Sequence, residues 1–180
     1  MNPLKLNIII IIKIISRRDF MSEKRIKITP YEYMEYFMPD TANLVSMDTN
    51  GKVNVMALLW KTIGQLWMIP TITVAIAPSR YTFELLTKGV PEFTLNIPSP
   101  KTASSISVTG SLSGRDTDKV ERAGLELIEG VKTKVPTIKE SLLSYECKII
   151  HTCQSGKMAS HQLFFGQILT AFASNDIIEK

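Results

Sequence analysis

The sequence predicts a mainly β domain, a β-barrel or sandwich with a few helices attached. Two observations carry this: short runs alternate apolar and polar residues with period two, and Gly, Pro, Asn and Asp clusters punctuate them. Size is the third. The roughly 160 residues after the first twenty are enough for one domain with a real core, hydrophobic residues make up 44% of the chain, and no repeat or linker divides it.

Residues 1–20 stand apart. Ile8 to Ile15 is apolar except for Lys13, shorter than the ~20 residues that cross a bilayer, and Ser16 to Phe20 is not a small-residue cleavage site. No membrane association is expected. Arg17-Arg18-Asp19-Phe20-Met21 is what a ribosome-binding stretch followed by ATG would give if translated. Residues 1–20 are therefore expected to be a disordered, non-native upstream extension, and residues 21–180 a single domain. The extension holds Lys5, Lys13, Arg17 and Arg18 against Asp19, so without it 21 basic and 17 acidic residues become 17 and 16. Net charge falls from +4 to +1, and with it the main reason to expect a nucleic-acid partner.

Lys24 to Met38, with Tyr31, Tyr33, Tyr36 and Phe37 and ended by Pro39, predicts a short helix whose aromatics pack on the barrel. Ala42 to Met47 and Lys52 to Leu58 are strands, joined through Asn50-Gly51, which suits the left-handed positions of a tight hairpin. Glu92 to Ile97 is a buried strand stopped by Pro98, with Asn96 as its one amide. Strands resume from Thr137. Leu143, Tyr145, Cys147 and Ile149 alternate with polar residues, and Leu163 to Ala173 is a long apolar strand interrupted by Gly166, a bulge or close backbone approach. Cys147 and Cys153 lie on one strand, roughly 20 Å apart if it is continuous, which forbids pairing with each other. Two cysteines without framework spacing point to a reducing cytoplasm.

The stretch Ala75 to Leu86 is the candidate ligand site. Ile72, Val74 and Ile76 alternate as a strand, Pro78 ends it, Ser79 is placed to cap a helix, and Phe83, Leu85 and Leu86 give that helix an apolar face. Unpaired N–H groups and partial positive charge at a helix start, joined by Ser79, Arg80 and Thr82, suit a phosphate. A plain cap and a solvated arginine are the alternative. With two histidines and no Cys/His spacing, no metal site is expected.

Five ordered blocks then stand together: Asn54-Val55-Met56-Ala57, Pro78-Ser79-Arg80-Tyr81-Thr82, Phe93 to Pro98, Ser113-Gly114-Arg115-Asp116 with Asp118-Lys119, and His161 to Gly166. From about Asn43 to Ala171 the chain resembles the flavin reductase-like family, which includes the flavoredoxins. The resemblance implies an FMN-binding split β-barrel of Greek-key type. It also implies a homodimer with FMN near the join. Ser79, Arg80 and Thr82 would hold the phosphate, with Arg115, Lys119 and Ser113 adding donors. Asn54, Val55, Met56, Ala57, Thr62 and Asn96 would line the ring.

Lys61 either supplies positive charge to the ring or is an ordinary solvated lysine. Trp60 and Trp67 are core residues or ring walls. His161, commonly preceded by Gly-Asp in relatives, here follows Gly156 to Ser160; it is a catalytic candidate or a surface histidine. The function implied is transfer of electrons from NADH or NADPH through FMN to an acceptor, hydride passing to flavin N5 by positioning and ring electrostatics. The alternatives are an electron-transfer flavoprotein reduced by a protein partner, and a non-catalytic flavin binder.

Overall fold

The computed structural model describes residues 25–38, 41–157 and 159–179. The expected upstream extension, Lys24 and Pro39 lie outside them. Among the described residues ten strands dominate: β1 (Arg25–Ile28), β2 (Ala42–Met47), β3 (Val53–Leu58), β4 (Lys61–Leu66), β5 (Ile69–Ile76), β6 (Glu92–Pro98), β7 (Leu127–Ile128), β8 (Thr137–Ile138), β9 (Ser141–Gln154) and β10 (Gln162–Ser174). The short helices described with them are α1 (Met34–Phe37), α2 (Tyr81–Lys88), α3 (Ser105–Ser111), α4 (Lys119–Arg122) and α5 (Asn175–Ile178).

The main sheet runs β3-β2-β6-β9-β10-β5-β4, every pairing antiparallel, with β1 added to the far end of β10. β3 and β4 are thus the two ends of the path, although only Leu59 and Trp60 separate them in sequence. The barrel is split there. A second ladder, β7 with β8, covers the face of β2 and β3 that carries Val45 and Val55.

The sheet curves because β10 bends. Its first half pairs with β5 and its last residues with β1, and its register against β9 shifts between Phe165 and Gly166. A Cβ on Gly166 would stand 2.5 Å from Cζ of Phe93 and 2.9 Å from Cβ of Cys147. Both the bulge and the close approach expected at Gly166 are therefore present. Phe93, Tyr145, Cys147 and Phe164 fill the core beneath it, with Phe37 edge-on to Tyr145 at 5.7 Å.

Glu146, fully buried on β9, receives the backbone N–H groups of Val131, Lys132 and Thr133 and ties that loop to the sheet. A buried carboxylate is tolerable because these donors replace its water. Both cysteines are free, and burial pushes the Cys147 thiol up, which leaves it an unreactive core group. No helix among the described residues is long and apolar enough to cross a membrane.

Two local expectations need correction. The segment before Phe37 is not one short helix: Arg25–Ile28 is a strand, because Arg-Ile-Lys-Ile alternates and the tail of β10 offers a free edge. The aromatic packing holds for Phe37, which is buried, and for Tyr33 and Tyr36 against the same core, while Tyr31 is exposed, its hydroxyl donating to the Gly64 carbonyl at 3.0 Å. In the β2–β3 turn only Gly51 takes a positive φ, of 90°, while Asp48 Oδ1 accepts from the backbone of Asn50 and Lys52.

Replacing Gly166 with Ala should destabilise the domain by about 1–3 kcal/mol, the usual range for overpacking a closed core. A shift of the urea midpoint checks it; an unchanged midpoint would mean that the bulge has slack.

Candidate functional site

The split is where the cleft lies. It measures about 490 Å³ and is walled by Met56 to Trp60 leaving β3, Ala75 to Ala77 ending β5, the start of α2, the end of α3 and the loop after it. The backbone N–H of Ala75 donates to the Trp60 carbonyl at 3.0 Å, which fixes the two-residue link across the split. Trp60 is 63% exposed, and Leu59 is also exposed beside it.

β3 supplies the cleft's inner wall. Asn54, Met56 and Leu58 share one face by the period-two rule, and Ala57 meets α3, where a Cβ on Gly110 would lie 3.3 Å from its own. Asn54 is buried; its Nδ2 donates to Thr82 Oγ1 at 2.9 Å, and its Oδ1 has no partner. A buried amide oxygen without a donor is uncommon and points to a group still to be received. Thr82 Oγ1, having accepted from Asn54, keeps its own proton to give away. Gly114 closes over this pair, since a Cβ there would fall 1.9 Å from Asn54 Oδ1.

The charges have one sign. Among the described residues, the cations Arg80, Arg115 and Lys119 line the cleft together with the imidazole of His161, and no carboxylate does. Arg80 occupies the N-cap position of α2, with no side-chain cap bond. Ser79, predicted to be the cap, therefore stands one residue before it; no side chain caps α2, and of its first-turn N–H groups that of Phe83 donates to the Arg80 carbonyl at 3.0 Å. Arg115 is tethered at the rim by Glu84 at 3.4 Å and the Ser79 carbonyl at 3.3 Å, and stacks over Tyr81 at 5.3 Å.

Lys119 is 5% exposed, and its Nζ donates to the Thr109 carbonyl at 2.9 Å. Burial first, and then the nearby Arg80 cation, lower its pKa to about 8. Two cations held together with no facing carboxylate make a site for an anion. Both come from this one chain, so no partner subunit is needed to assemble them.

Of the residues expected at the site, Asn54, Met56, Ala57, Ser79, Arg80, Thr82, Ser113, Arg115, Lys119 and His161 come together in the cleft. Val55, Lys61, Thr62 and Asn96 do not. Val55 points the other way, into the second core. Lys61 is neither solvated nor in the cleft: β4 turns it inward, buried, with Nζ 5.2 Å from the Phe37 ring, and so turns Thr62 outward. Asn96 is buried in protein hydrogen bonds, donating to Thr94 Oγ1 at 3.0 Å and accepting from the Ile138 N–H at 3.1 Å.

His161 heads β10, its backbone closing onto Ser155, with Nδ1 buried and unpaired. Trp60 belongs to the cleft, and Trp67 stands 80% exposed at the β4–β5 turn, far from any core. Sequence reasoning missed α3, which contributes Thr109, Gly110 and Ser111. Its Ser-Ile-Ser-Val-Thr-Gly-Ser run has poor helix formers throughout, and no periodic signal betrays it.

The flavin reductase like domain family matches residues 34–179. The chain belongs to this family. Among solved structures it is similar to the flavoredoxin of Methanosarcina acetivorans, 26% identical with a TM-score of 0.66, covering 84% of this chain and 76% of that one. It is also similar to an FMN-binding protein of Thermus thermophilus with bound 1-cyclohex-2-enone, 26% identical with a TM-score of 0.64, covering 79% and 73%. A Shewanella frigidimarina protein with a split barrel domain matches at a TM-score of 0.68 over 78% of this chain and 73% of that one; at 18% identity it supports the fold alone. The flavin reductase-like domain here is accordingly a split β-barrel, open between β3 and β4.

Lys119 gives a stability signature. Its folded-state pKa, about 8, lies below the ordinary lysine value of 10.5, so the charged form is penalised in the fold below pH 8. The penalty is relieved as pH rises from about 8 to 10.5. Lys119→Met should therefore be more stable than the unaltered protein at pH 7, with the advantage shrinking across that window. Denaturation at pH 7 and pH 10 reads it; a pH-independent difference would contradict the buried charge.

Proposed function

We propose that this protein is an FMN-binding oxidoreductase that accepts electrons from NADH or NADPH. The cation-lined, carboxylate-free cleft at the barrel split, with the unpartnered Asn54 Oδ1 in its wall, carries the reading. The FMN-binding and flavoredoxin relatives support it. The fit is chemical. A phosphate monoester needs fixed cations, hydroxyls and N–H groups, which Arg80, Lys119, Thr82, Ser79 and the start of α2 offer. A flavin ring needs a flat apolar wall with a few polar contacts, which Met56 to Trp60 and Asn54 offer.

FMN, when bound, would supply reversible two-electron chemistry that no side chain here provides. The chain's own work is binding and orientation. Asn54 holds the Thr82 hydroxyl so that its proton is directed to the ligand, and Gly114 keeps the loop close enough to exclude water. Arg115, already bonded to Glu84, closes the rim. His161, which lines the cleft, would face the nicotinamide. The exposed Leu59 and Trp60 at the mouth suit a second copy of the chain, which would complete the cover over the ring. The setting would be cytoplasmic. A protein electron donor is the second reading, favoured by the same open mouth.

Absorbance of FMN-reconstituted protein, freed of unbound flavin and titrated without oxygen, tests this. Retained yellow colour that bleaches with NADPH or NADH is expected. Colour that persists would favour the protein donor, and no retained colour would remove the flavin reading. Arg80→Ala should weaken FMN binding by roughly 10- to 100-fold, the worth of a charge-assisted hydrogen bond, and leave riboflavin binding unchanged.

A further inference from the structure

Helix α3 forms a wall of the cleft although its sequence has little reason to be helical. What holds it is Asn43 of β2, a buried residue outside the cleft lining. The Asn43 amide uses both ends on the helix: Nδ2 donates to Ser105 Oγ at 2.9 Å, and Oδ1 accepts from Thr109 Oγ1 at 2.7 Å. Those contacts sit one turn apart, so together they fix both the rotation and the height of α3 on the sheet. The Thr109 carbonyl then accepts the Lys119 ammonium at 2.9 Å. A residue on the sheet is connected to the cleft's buried cation through one helical residue.

We propose that Asn43 is a positioning residue for the anion end of the cleft, holding α3 so that the Thr109 carbonyl keeps the Lys119 ammonium beside Arg80. The inference rests on the FMN reading and names a determinant of its phosphate recognition. Asn43 is uncharged and does not line the cleft, so its effect on an anion passes through α3, whose Thr109 carbonyl places Lys119. An ammonium on a long flexible stem is a poor anion ligand unless something fixes it. Here a backbone carbonyl does, and Asn43 fixes that carbonyl. Arg80 and Arg115 are the charged groups that share this end of the cleft with Lys119.

The test is Asn43→Leu, similar in size but without hydrogen bonds, assayed against FMN and riboflavin by flavin fluorescence. FMN affinity should fall about tenfold, the worth of one misplaced charge-assisted contact, with riboflavin affinity unchanged. In a Lys119→Met background the same substitution should cause no further selective loss. Equal losses for both flavins, or an undiminished selective loss without Lys119, would overturn the proposal. Thr109→Val breaks the same contact from the helix side and is judged by the same criterion if Asn43→Leu does not fold.

A readout without flavin separates the two claims. Competitive acetylation of Lys119 across pH, followed by mass spectrometry of the ligand-free protein, should show its titration midpoint rising from about 8 toward the ordinary lysine value in Asn43→Leu. An unmoved midpoint would overturn the role of Asn43 even if FMN binds. Failure of the unaltered protein to prefer FMN over riboflavin, with a moved midpoint, would instead remove the flavin reading and keep Asn43 as the residue that places Lys119.

Discussion

The structure depends on one constraint of connectivity: β3 and β4, at opposite ends of the strand path, are joined by only Leu59 and Trp60. Two strands that meet at one end and belong to different edges must diverge. The gap they leave is the cleft, and the Ala75 N–H to Trp60 carbonyl bond pins its apex. Closing the sheet around this gap requires a bend elsewhere, which the Gly166 bulge in β10 provides by letting Phe93 approach the backbone. The binding space is thus a consequence of how the barrel is wound.

Electrostatics then decides what the gap can hold. Placing Lys119 beside Arg80 is unfavourable in isolation, and burial adds to the cost. The arrangement persists because neutral partners fix it: Thr109 holds the ammonium, Asn43 holds Thr109, and Asn54 holds Thr82. Such preorganisation leaves little rearrangement for an anion to impose on arrival. The same logic keeps acidic groups at a distance, with Glu84 on the rim paired to Arg115 and Glu146 buried against a separate loop.

Much of this was legible in the residues. The Ile72, Val74, Ile76 alternation followed by Pro78 located the strand-to-helix turn, and the Gly166 interruption located the bend. Arg80 stands out by its chemistry, and Asn54 and Lys119 by the order of the motif blocks; all three line the cleft. What was hidden depended on tertiary contacts. α3 is helical because Asn43 and Lys119 hold it, against the propensities of Ser, Thr, Val and Gly. Lys61 and Asn96 look like site residues in a linear motif, yet strand parity turns one toward Phe37 and the ladder places the other among Thr94 and Ile138. The Arg25–Ile28 strand is short and needs the exposed tail of β10 to exist.

The most direct measurement is a crystal structure of the protein with FMN. The account predicts the phosphate within hydrogen-bonding reach of both Arg80 and Lys119, with the ring against Met56 to Trp60. An ordered phosphate bound away from that pair would contradict the central claim that the barrel split is a phosphate-anchored flavin site.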